Sequence, residues 1–202
     1  MTFSRRRIAT AAVALLLGLG AAAPSHAAVP AALPSHFAIG LAGHPDATGI
    51  YGWMPSSGIP FDYAYQYLSA GVNTGSGWQA WNDNAQFPLW YAQGAAARGY
   101  IPVFPYYMLL QSNGSCGSCG EAQKDLSNLG NPATMNAYYA DFAKLMQRLG
   151  TGTYDGVAGF GATAIVHVEP DLSGYAQQAV LDNANCYAHC TGTGNDPALL
   201  KA

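Results

Sequence analysis

Two carboxylates, Glu169 and Asp171, follow an apolar run and are separated only by Pro170. The run 165–168 predicts a strand buried on both faces, as strands of parallel sheets are, and Pro170 ends it because proline cannot donate to a β-ladder. Acids at the carboxyl end of such a strand lie where α/β proteins carry their active sites. Two acids there suit protonation of a leaving oxygen and activation of water. The alternative is a strand-ending turn with solvated acids.

The amino terminus has the pattern of an export signal. Three arginines, at 5–7, precede an uncharged run from Ile8 to Ala23, and a small-residue cleavage pattern follows at 25–27. This predicts a secretory signal peptide over residues 1–27, too short and too rich in alanine to predict a membrane span. The arginines fit a twin-arginine signal as well as a Sec signal. We therefore expect a secreted, extracellular domain over residues 28–202, with no membrane partner after cleavage.

The charge of the chain argues against nucleic acid as a partner. Three of the 8 Lys and Arg residues lie before residue 28, so that 5 remain against 11 Asp and Glu. The mature chain therefore carries about −6 and has no basic patch. Charged residues make up only 9% of the chain, which contains 13 Tyr, 4 Trp and 24 Gly. Such a composition suits neutral polar ligands such as sugars, on which aromatic rings can stack.

Four cysteines lie in the mature chain: Cys116, Cys119, Cys186 and Cys190. An even number in an exported protein predicts disulfides, and of the three possible pairings we favour the local bridges 116–119 and 186–190. A four-cysteine zinc site is the alternative, since Cys-x-x-Cys is a usual half-site, although the second pair has an extra residue. A thioredoxin-like role is disfavoured because the sequence predicts neither a strand just before Cys116 nor a helix after it. We expect no metal and no cofactor.

Predicted strands and helices alternate along the mature chain. Strands are predicted at 36–41, 61–67, 100–108 and 165–168, the second from alternating tyrosines around Asp62, which could instead cap a helix. Helices are predicted over 88–98 and between Asn131 and Gly150. The second helix has an apolar stripe at three- and four-residue spacing, made of Met135, Tyr138, Tyr139, Phe142, Leu145, Met146 and Leu149.

This alternation predicts an α/β fold with a parallel sheet. About four βα units in roughly 175 residues correspond to the N-terminal half of a TIM-like barrel, which takes ~250 residues. Residues 196–202 resemble the start of a helix, so we expect the domain to be truncated at its C-terminus. A half barrel has two unpaired edge strands, from which we expect an aggregation-prone or dimeric, inactive product.

Aromatic residues are the candidates for substrate binding. Trp53, Trp78 and Trp81 occur in glycine-rich loops, where they could form a sugar platform or pack locally. Tyr106 and Tyr107 end a predicted strand, so that one could reach the edge of the sheet while the other packs.

The loop after the first strand carries His44 and Asp46, which could line the same edge or be solvated. His167 is expected on the strand face opposite to its neighbours, hydrogen-bonded in the core, and Asp155 in a turn. No G-x-S-x-G elbow, P-loop or H-E-x-x-H motif occurs, which disfavours serine hydrolases, nucleotide-binding proteins and zinc proteases.

The segment 166–172, Val-His-Val-Glu-Pro-Asp-Leu, resembles the I-E-P-D-S/D-L strand end of family 6 glycoside hydrolases, the cellobiohydrolases and endoglucanases. In that family the motif also precedes a helix and a nearby cysteine. The resemblance implies an active-centre role for Asp171, with Glu169 beside it, and a substrate held over tryptophans. The match covers about a dozen residues. The catalytic acid of that family lies in an upstream Y-D-x-P-x-R-D-C segment, and the corresponding region here, 105–119, lacks its aspartate.

More broadly, the layout is similar to exported barrel glycosidases with a Glu acid/base after the fourth strand and a second carboxylate on the seventh. This similarity implies that Glu169 is the acid/base and that the nucleophile lies beyond Ala202. From the two resemblances together we expect a secreted glycoside hydrolase that acts on a polysaccharide, with Glu169 and Asp171 as the candidate catalytic residues. The alternative is a non-catalytic carbohydrate-binding or cell-surface protein of the same fold.

Overall fold

The computed structural model describes residues 32–43, 52–114 and 116–182, and the fold lies in the compact unit that begins at Pro34. The expected signal peptide, His44, Asp46, Cys186 and Cys190 lie outside the described residues.

Four parallel strands form the central sheet: β1 (Gly40–Ala42), β2 (Tyr63–Tyr65), β3 (Ile101–Tyr106) and β6 (Ile165–Val168), in the order β1-β2-β3-β6. Two short strands, β4 (Thr153–Tyr154) and β5 (Val157–Ala158), form a separate hairpin. The predicted α/β class and parallel sheet are thus confirmed, whereas the described residues do not show a closed barrel.

Five helices connect or follow the strands: α1 (Trp53–Ser56), α2 (Phe87–Ala96), α3 (Glu121–Leu129), α4 (Pro132–Leu149) and α5 (Leu172–Asp182). Two short 3₁₀ turns, Trp78–Ala80 and Asp83–Ala85, precede α2. Among the helices of the described residues, none is both long and apolar enough to cross a membrane.

The core lies between one face of the sheet and helices α2 and α4. Phe104 and Tyr106, two residues apart on β3, share this face and are fully buried. Phe104 packs edge-on against Tyr91 of α2, with ring centroids 5.7 Å apart, and Tyr106 against Tyr138 of α4 at 5.1 Å. Aromatic burial of this kind fixes the sheet against its helices.

Helix α4 begins and ends where the sequence predicts. The side chain of Asn131 accepts hydrogen bonds from the N–H groups of Ala133 and Thr134 at 3.0 and 3.2 Å, and Gly150 follows the last turn. The predicted stripe is only partly correct, since Tyr139 and Met146 are exposed. In the same helix Asp141 and Arg148 are buried, because each has hydrogen-bond partners outside the helix; the apolar pattern does not reveal this.

Helix α3 and the β4–β5 hairpin are not predicted by the sequence. The buried residues of α3 are Asp125 and Asn128, and its Leu129 is only partly buried against the core, so α3 has no continuous buried apolar stripe. Because α3 begins at Glu121, a helix does follow Cys116 and Cys119, and the prediction that none does is wrong. The hairpin turns at Asp155, which is predicted to lie in a turn. Asp155 adopts a positive φ of 53° and forms an ion pair with Lys144.

Asp62 does not cap a helix. Its carboxylate accepts a hydrogen bond from the Ile39 N–H at 3.0 Å and contacts the His36 ring.

The position of strand β6 is correctly predicted, but its burial is not. It is the outermost strand of the described sheet and has β3 as its one neighbour. The expectation that it is buried on both faces is wrong, because Val168 is 46% exposed. His167 is also exposed and is not the core residue that was expected.

Candidate functional site

Glu169 lies directly after β6, at the carboxyl edge of the sheet, where the sequence predicts an acid. Its N–H donates to the Tyr106 carbonyl at 2.8 Å, so its backbone continues the pairing with β3. Its φ of +43° lies in the left-handed region that residues other than glycine rarely adopt. The side chain is only 5% exposed. Glu169 is therefore a buried acid held by a strained backbone, rather than the solvated end of a strand.

The two oxygens of the Glu169 carboxyl group have different surroundings. Oε1 accepts the backbone N–H groups of Met108 and Leu109 at 2.9 and 3.1 Å. Oε2 is buried and has no hydrogen-bond partner. The Tyr138 hydroxyl lies close enough to this carboxyl group to lower its pKa, but it does not donate a hydrogen bond to Oε2. A proton bound to Glu169 therefore belongs on Oε2, because the lone pairs of Oε1 are already used.

The environment of Glu169 raises its pKa to about 7. Burial is the main cause, because it penalises the charged form, and the charge of Asp125 adds to it. The two backbone N–H groups and the Tyr138 hydroxyl act in the opposite direction and lower the pKa. Glu169 can consequently bind and release a proton near neutral pH.

Asp125 of α3 is a second buried acid beside Glu169. It is 1% exposed, and neither of its oxygens has a hydrogen-bond partner. Burial raises its pKa to about 6, with further contributions from the charges of Glu121 and Asp171. Asp125 was not predicted as a site residue because no helix was predicted in this part of the sequence. The spacing of Glu121 and Asp125, which places them on one helix face, is the local signal that could have indicated it.

The buried side-chain atoms that lack a partner among the described residues are all acceptor oxygens, on Asp125, Asn128 and Glu169. Nevertheless, within the same residues no three His, Cys, Asp or Glu side chains come together so that they could hold a metal ion.

Asp171, the second acid of the sequence motif, is exposed. It precedes α5, and its carbonyl accepts the N–H of Tyr175 at 3.0 Å. The charge of Asp171 raises the pKa values of Asp125 and Tyr175, although burial and Glu121 contribute more to both shifts. The motif thus supplies one buried and one exposed carboxylate at the same edge of the sheet.

The loop after β3 is tightly held next to Glu169. The Asn128 side chain donates to the carbonyls of Leu109 and Ser112 at 2.6 and 3.1 Å. Asn113 and Asn73 exchange hydrogen bonds between their side chains and backbones. Beside this loop is an open groove of about 520 Å³ with a mainly polar lining, made of Leu110, Gln111, Ser112, Asn113, Gly114, Gly117 and Lys124.

The aromatic candidates separate into buried and exposed residues. Trp78 is fully buried, and its indole Nε1 donates to Asp141 at 2.7 Å. Tyr106 is also buried and donates to the same carboxylate at 2.6 Å. Both therefore pack locally, and neither presents a ring face for a sugar. Trp53 and Trp81 have exposed ring surface and can contact a ligand.

Of the two tyrosines at the end of β3, Tyr106 packs in the core and Tyr107 reaches the edge. Tyr107 is half-buried and contacts Tyr67, which follows β2. The sequence left open which of the two would do so.

The predicted bridge between Cys116 and Cys119 is present, with an S–S distance of 2.00 Å. It closes the segment just before α3, which begins at Glu121. The proposed 186–190 pair lies outside the described residues and stays a prediction.

Comparisons with known proteins give no match: no family model, no curated protein and no solved structure is significantly similar to this chain.

Proposed function

We propose that this chain is a secreted, glycoside hydrolase-like protein that cleaves a polysaccharide by carboxylate acid/base catalysis, with Glu169 as the acid/base. The observation that carries the proposal is the buried carboxyl of Glu169 at the carboxyl edge of a parallel sheet, with a pKa of about 7. A general acid works best when its pKa is close to the working pH, and glycosidases raise the pKa of their acid by burial.

In this proposal the proton on Oε2 of Glu169 passes to the glycosidic oxygen as the bond to the leaving sugar breaks. Asp171, exposed at the same edge, is the carboxylate that activates the attacking water. Since Oε2 is buried, substrate binding has to expose it before the proton can be transferred.

The test is sugar release from a panel of neutral polysaccharides by the full chain and by three variants. Measurable release means, contrary to the half-barrel expectation of an inactive product, that residues 28–202 contain both catalytic carboxylates. Glu169→Gln keeps the shape of the side chain but cannot transfer a proton, so we expect a loss of roughly 10²–10⁴-fold in rate. Asp171→Asn should also lose activity, whereas Asp83→Asn, at an exposed position on a 3₁₀ turn, is the matched control. Full activity of Glu169→Gln would refute the acid/base assignment.

A second candidate function, a non-catalytic carbohydrate-binding protein, is favoured by one observation. Glu169 is enclosed and holds two N–H groups of the loop after β3, which is the arrangement of a structural anchor. In that case the wild type releases no sugar from any polysaccharide but is retarded in a gel that contains its ligand. Glu169→Gln is then retarded equally, because the amide oxygen still accepts both N–H groups.

A further inference from the structure

Three tyrosines stand together where β2 and β3 end. Tyr65 is the last residue of β2, Tyr67 follows two positions later, and Tyr107 is the first residue after β3. Since β2 and β3 are adjacent and parallel, these residues lie at the same edge of the sheet. The ring centroid of Tyr67 is 6.0 Å from that of Tyr65 and 6.0 Å from that of Tyr107. We call these three residues the tyrosine cluster.

The backbone beneath the cluster is fixed by hydrogen bonds. The N–H of Leu68 donates to the Pro105 carbonyl at 2.9 Å, and the N–H of Tyr107 donates to the Leu68 carbonyl at 2.8 Å. Leu68 itself is fully buried. The backbone that carries the tyrosines is therefore already ordered, so a ligand that contacts them does not have to order this segment.

The rings present surface that the fold does not use. Tyr67 is 43% exposed, and Tyr65 and Tyr107 are partly exposed. Throughout residues 32–43, 52–114 and 116–182, no hydrogen bond or ion pair involves any of the three hydroxyls. The cluster thus combines apolar ring faces with hydroxyl groups that are available to a ligand.

The geometry of the rings fits a single sugar ring. Tyr67 is tilted by 57° to Tyr65 and stands at 81° to Tyr107, so the three rings do not form one flat platform. A pyranose can lay its C–H face on Tyr67 while the hydroxyls of its neighbours bond to the sugar hydroxyls. Uncharged rings without a paired cation or anion favour a neutral sugar over a charged one.

The cluster is next to the candidate acid. Tyr107 precedes Met108, whose N–H is bound by Glu169 at 2.9 Å, and the Glu169 N–H is bound by Tyr106. A sugar bound to the cluster therefore lies at the same edge of the sheet as Glu169.

We propose that Tyr65, Tyr67 and Tyr107 form a binding subsite for one neutral pyranose ring of an oligosaccharide, with Tyr67 as its stacking surface. This inference rests on the proposed function for its ligand class, but it concerns binding and requires no catalysis. Of the three residues, only Tyr107 is predicted from the sequence as a candidate for the edge of the sheet. The alternation at 61–67 predicts a strand but does not indicate that Tyr65 and Tyr67 lie at this edge.

The experiment measures binding of four neutral probes, cellohexaose, xylohexaose, laminarihexaose and maltohexaose, by calorimetric titration of the full chain carrying Glu169→Gln, so that no probe is cleaved. We expect at least one probe to bind, and Tyr67→Ala to weaken its binding about tenfold, the value of one aromatic contact. Tyr67→Phe should keep most of the affinity because it keeps the ring. Tyr154→Ala is the matched control, because Tyr154 is 44% exposed and lies on the separate hairpin.

The outcomes separate this inference from the proposed function. Equal affinity of Tyr67→Ala and Tyr154→Ala, or binding of none of the four probes, overturns the subsite. Loss of binding in Tyr67→Ala, with an unchanged thermal unfolding midpoint, supports it. If that loss is found and Glu169→Gln hydrolyses polysaccharide at the wild-type rate, the subsite stands and the acid/base assignment fails.

Discussion

The carboxyl of Glu169 accepts the backbone N–H of Met108 at 2.9 Å, and this contact joins the residue after β6 to the loop after β3. The same oxygen also accepts the Leu109 N–H, while Asn128 of α3 binds the Leu109 carbonyl. Leu109 is thus held through both of its backbone polar groups. The position of the acid and the conformation of the loop consequently depend on each other.

We predict that Glu169→Ala is strongly destabilising and that Glu169→Gln is not. Alanine leaves the buried N–H groups of Met108 and Leu109 without an acceptor, which costs roughly 2–5 kcal/mol of unfolding free energy. Glutamine keeps an acceptor oxygen at the same position. The unfolding free energies of both variants are measured with denaturant at pH 5, where Glu169 of the wild type is protonated. A loss below about 1 kcal/mol in Glu169→Ala would contradict the anchoring role of this carboxyl group.

Stability should fall as pH rises across the range in which the buried acids lose their protons. The pKa of Glu169 is about 7 in the folded protein against an ordinary 4.5, so between these values the folded chain holds a proton that the unfolded chain has released. Unfolding free energy then decreases by about 1.4 kcal/mol per pH unit, and this contribution is fully lost above pH 7. Asp125 acts in the same direction between 3.8 and about 6.

This pH dependence is measured by denaturant midpoints between pH 4.5 and 8. Glu169→Gln should flatten the curve between pH 6 and 7, and Asp125→Asn should flatten its lower part. The pKa values of Asp62 and Asp155 are lowered from the ordinary 3.8 by their partners, so their contributions are present above that value, are lost as the pH falls below it, and cancel between variants. A Glu169→Gln curve parallel to the wild type would contradict the raised pKa of Glu169.

The parts of the fold that the sequence predicts are those in which local and tertiary signals agree. Helix α4 has Asn131 as its cap and Gly150 after its last turn, and β6 is an apolar run stopped before Pro170. Helix α3 lacks such agreement, because its most deeply buried residues are Asp125 and Asn128, while its Leu129 is only partly buried against the core. A search for an apolar stripe does not detect a helix whose most buried residues are polar.

The sequence predicts where the candidate site lies in the fold but does not predict how its residues are surrounded. That an acid ends β6 follows from the apolar run and the proline. Glu169 is enclosed by the loop after β3, whose Met108 N–H binds its carboxyl, and a contact between residues 61 positions apart leaves no local pattern in the sequence. In the same way, nothing local indicates that Trp78 and Tyr106 are buried, since both are ordered by Asp141, which is 35 or more residues away.

The local disulfide should add only modest stability. Cys116 and Cys119 are separated by three positions, so their bridge closes a very short loop and removes little entropy from the unfolded chain. We expect the double variant Cys116→Ser/Cys119→Ser to lose at most ~2 kcal/mol of unfolding free energy. Thiol titration of the unfolded, unreduced wild type should find no free thiol; two or more free thiols would refute the predicted pairing.

A second large loss of stability is predicted at Asp141, on the buried side of α4. Its carboxylate accepts from the Trp78 indole at 2.7 Å and from the Tyr106 hydroxyl at 2.6 Å, and it also binds the Gln79 side chain. Asp141→Ala would leave buried donors of the core unpaired, since water cannot reach them, and should cost about 3–5 kcal/mol. Asp83→Ala, at an exposed position, is the control and should change stability by less than about 0.5 kcal/mol.

Asp141→Asn separates the effect of hydrogen bonding from that of side-chain volume. The amide has nearly the same size but offers one acceptor oxygen, and its NH₂ group faces a donor. We therefore expect it to lose part of the stability that alanine loses, with a change in the near-ultraviolet circular dichroism of Trp78. Denaturant unfolding of the three variants at one pH decides the matter. If Asp141→Ala unfolds at the same denaturant concentration as Asp83→Ala, the hydrogen bonds to Trp78 and Tyr106 do not stabilise the packing of α4 on the sheet.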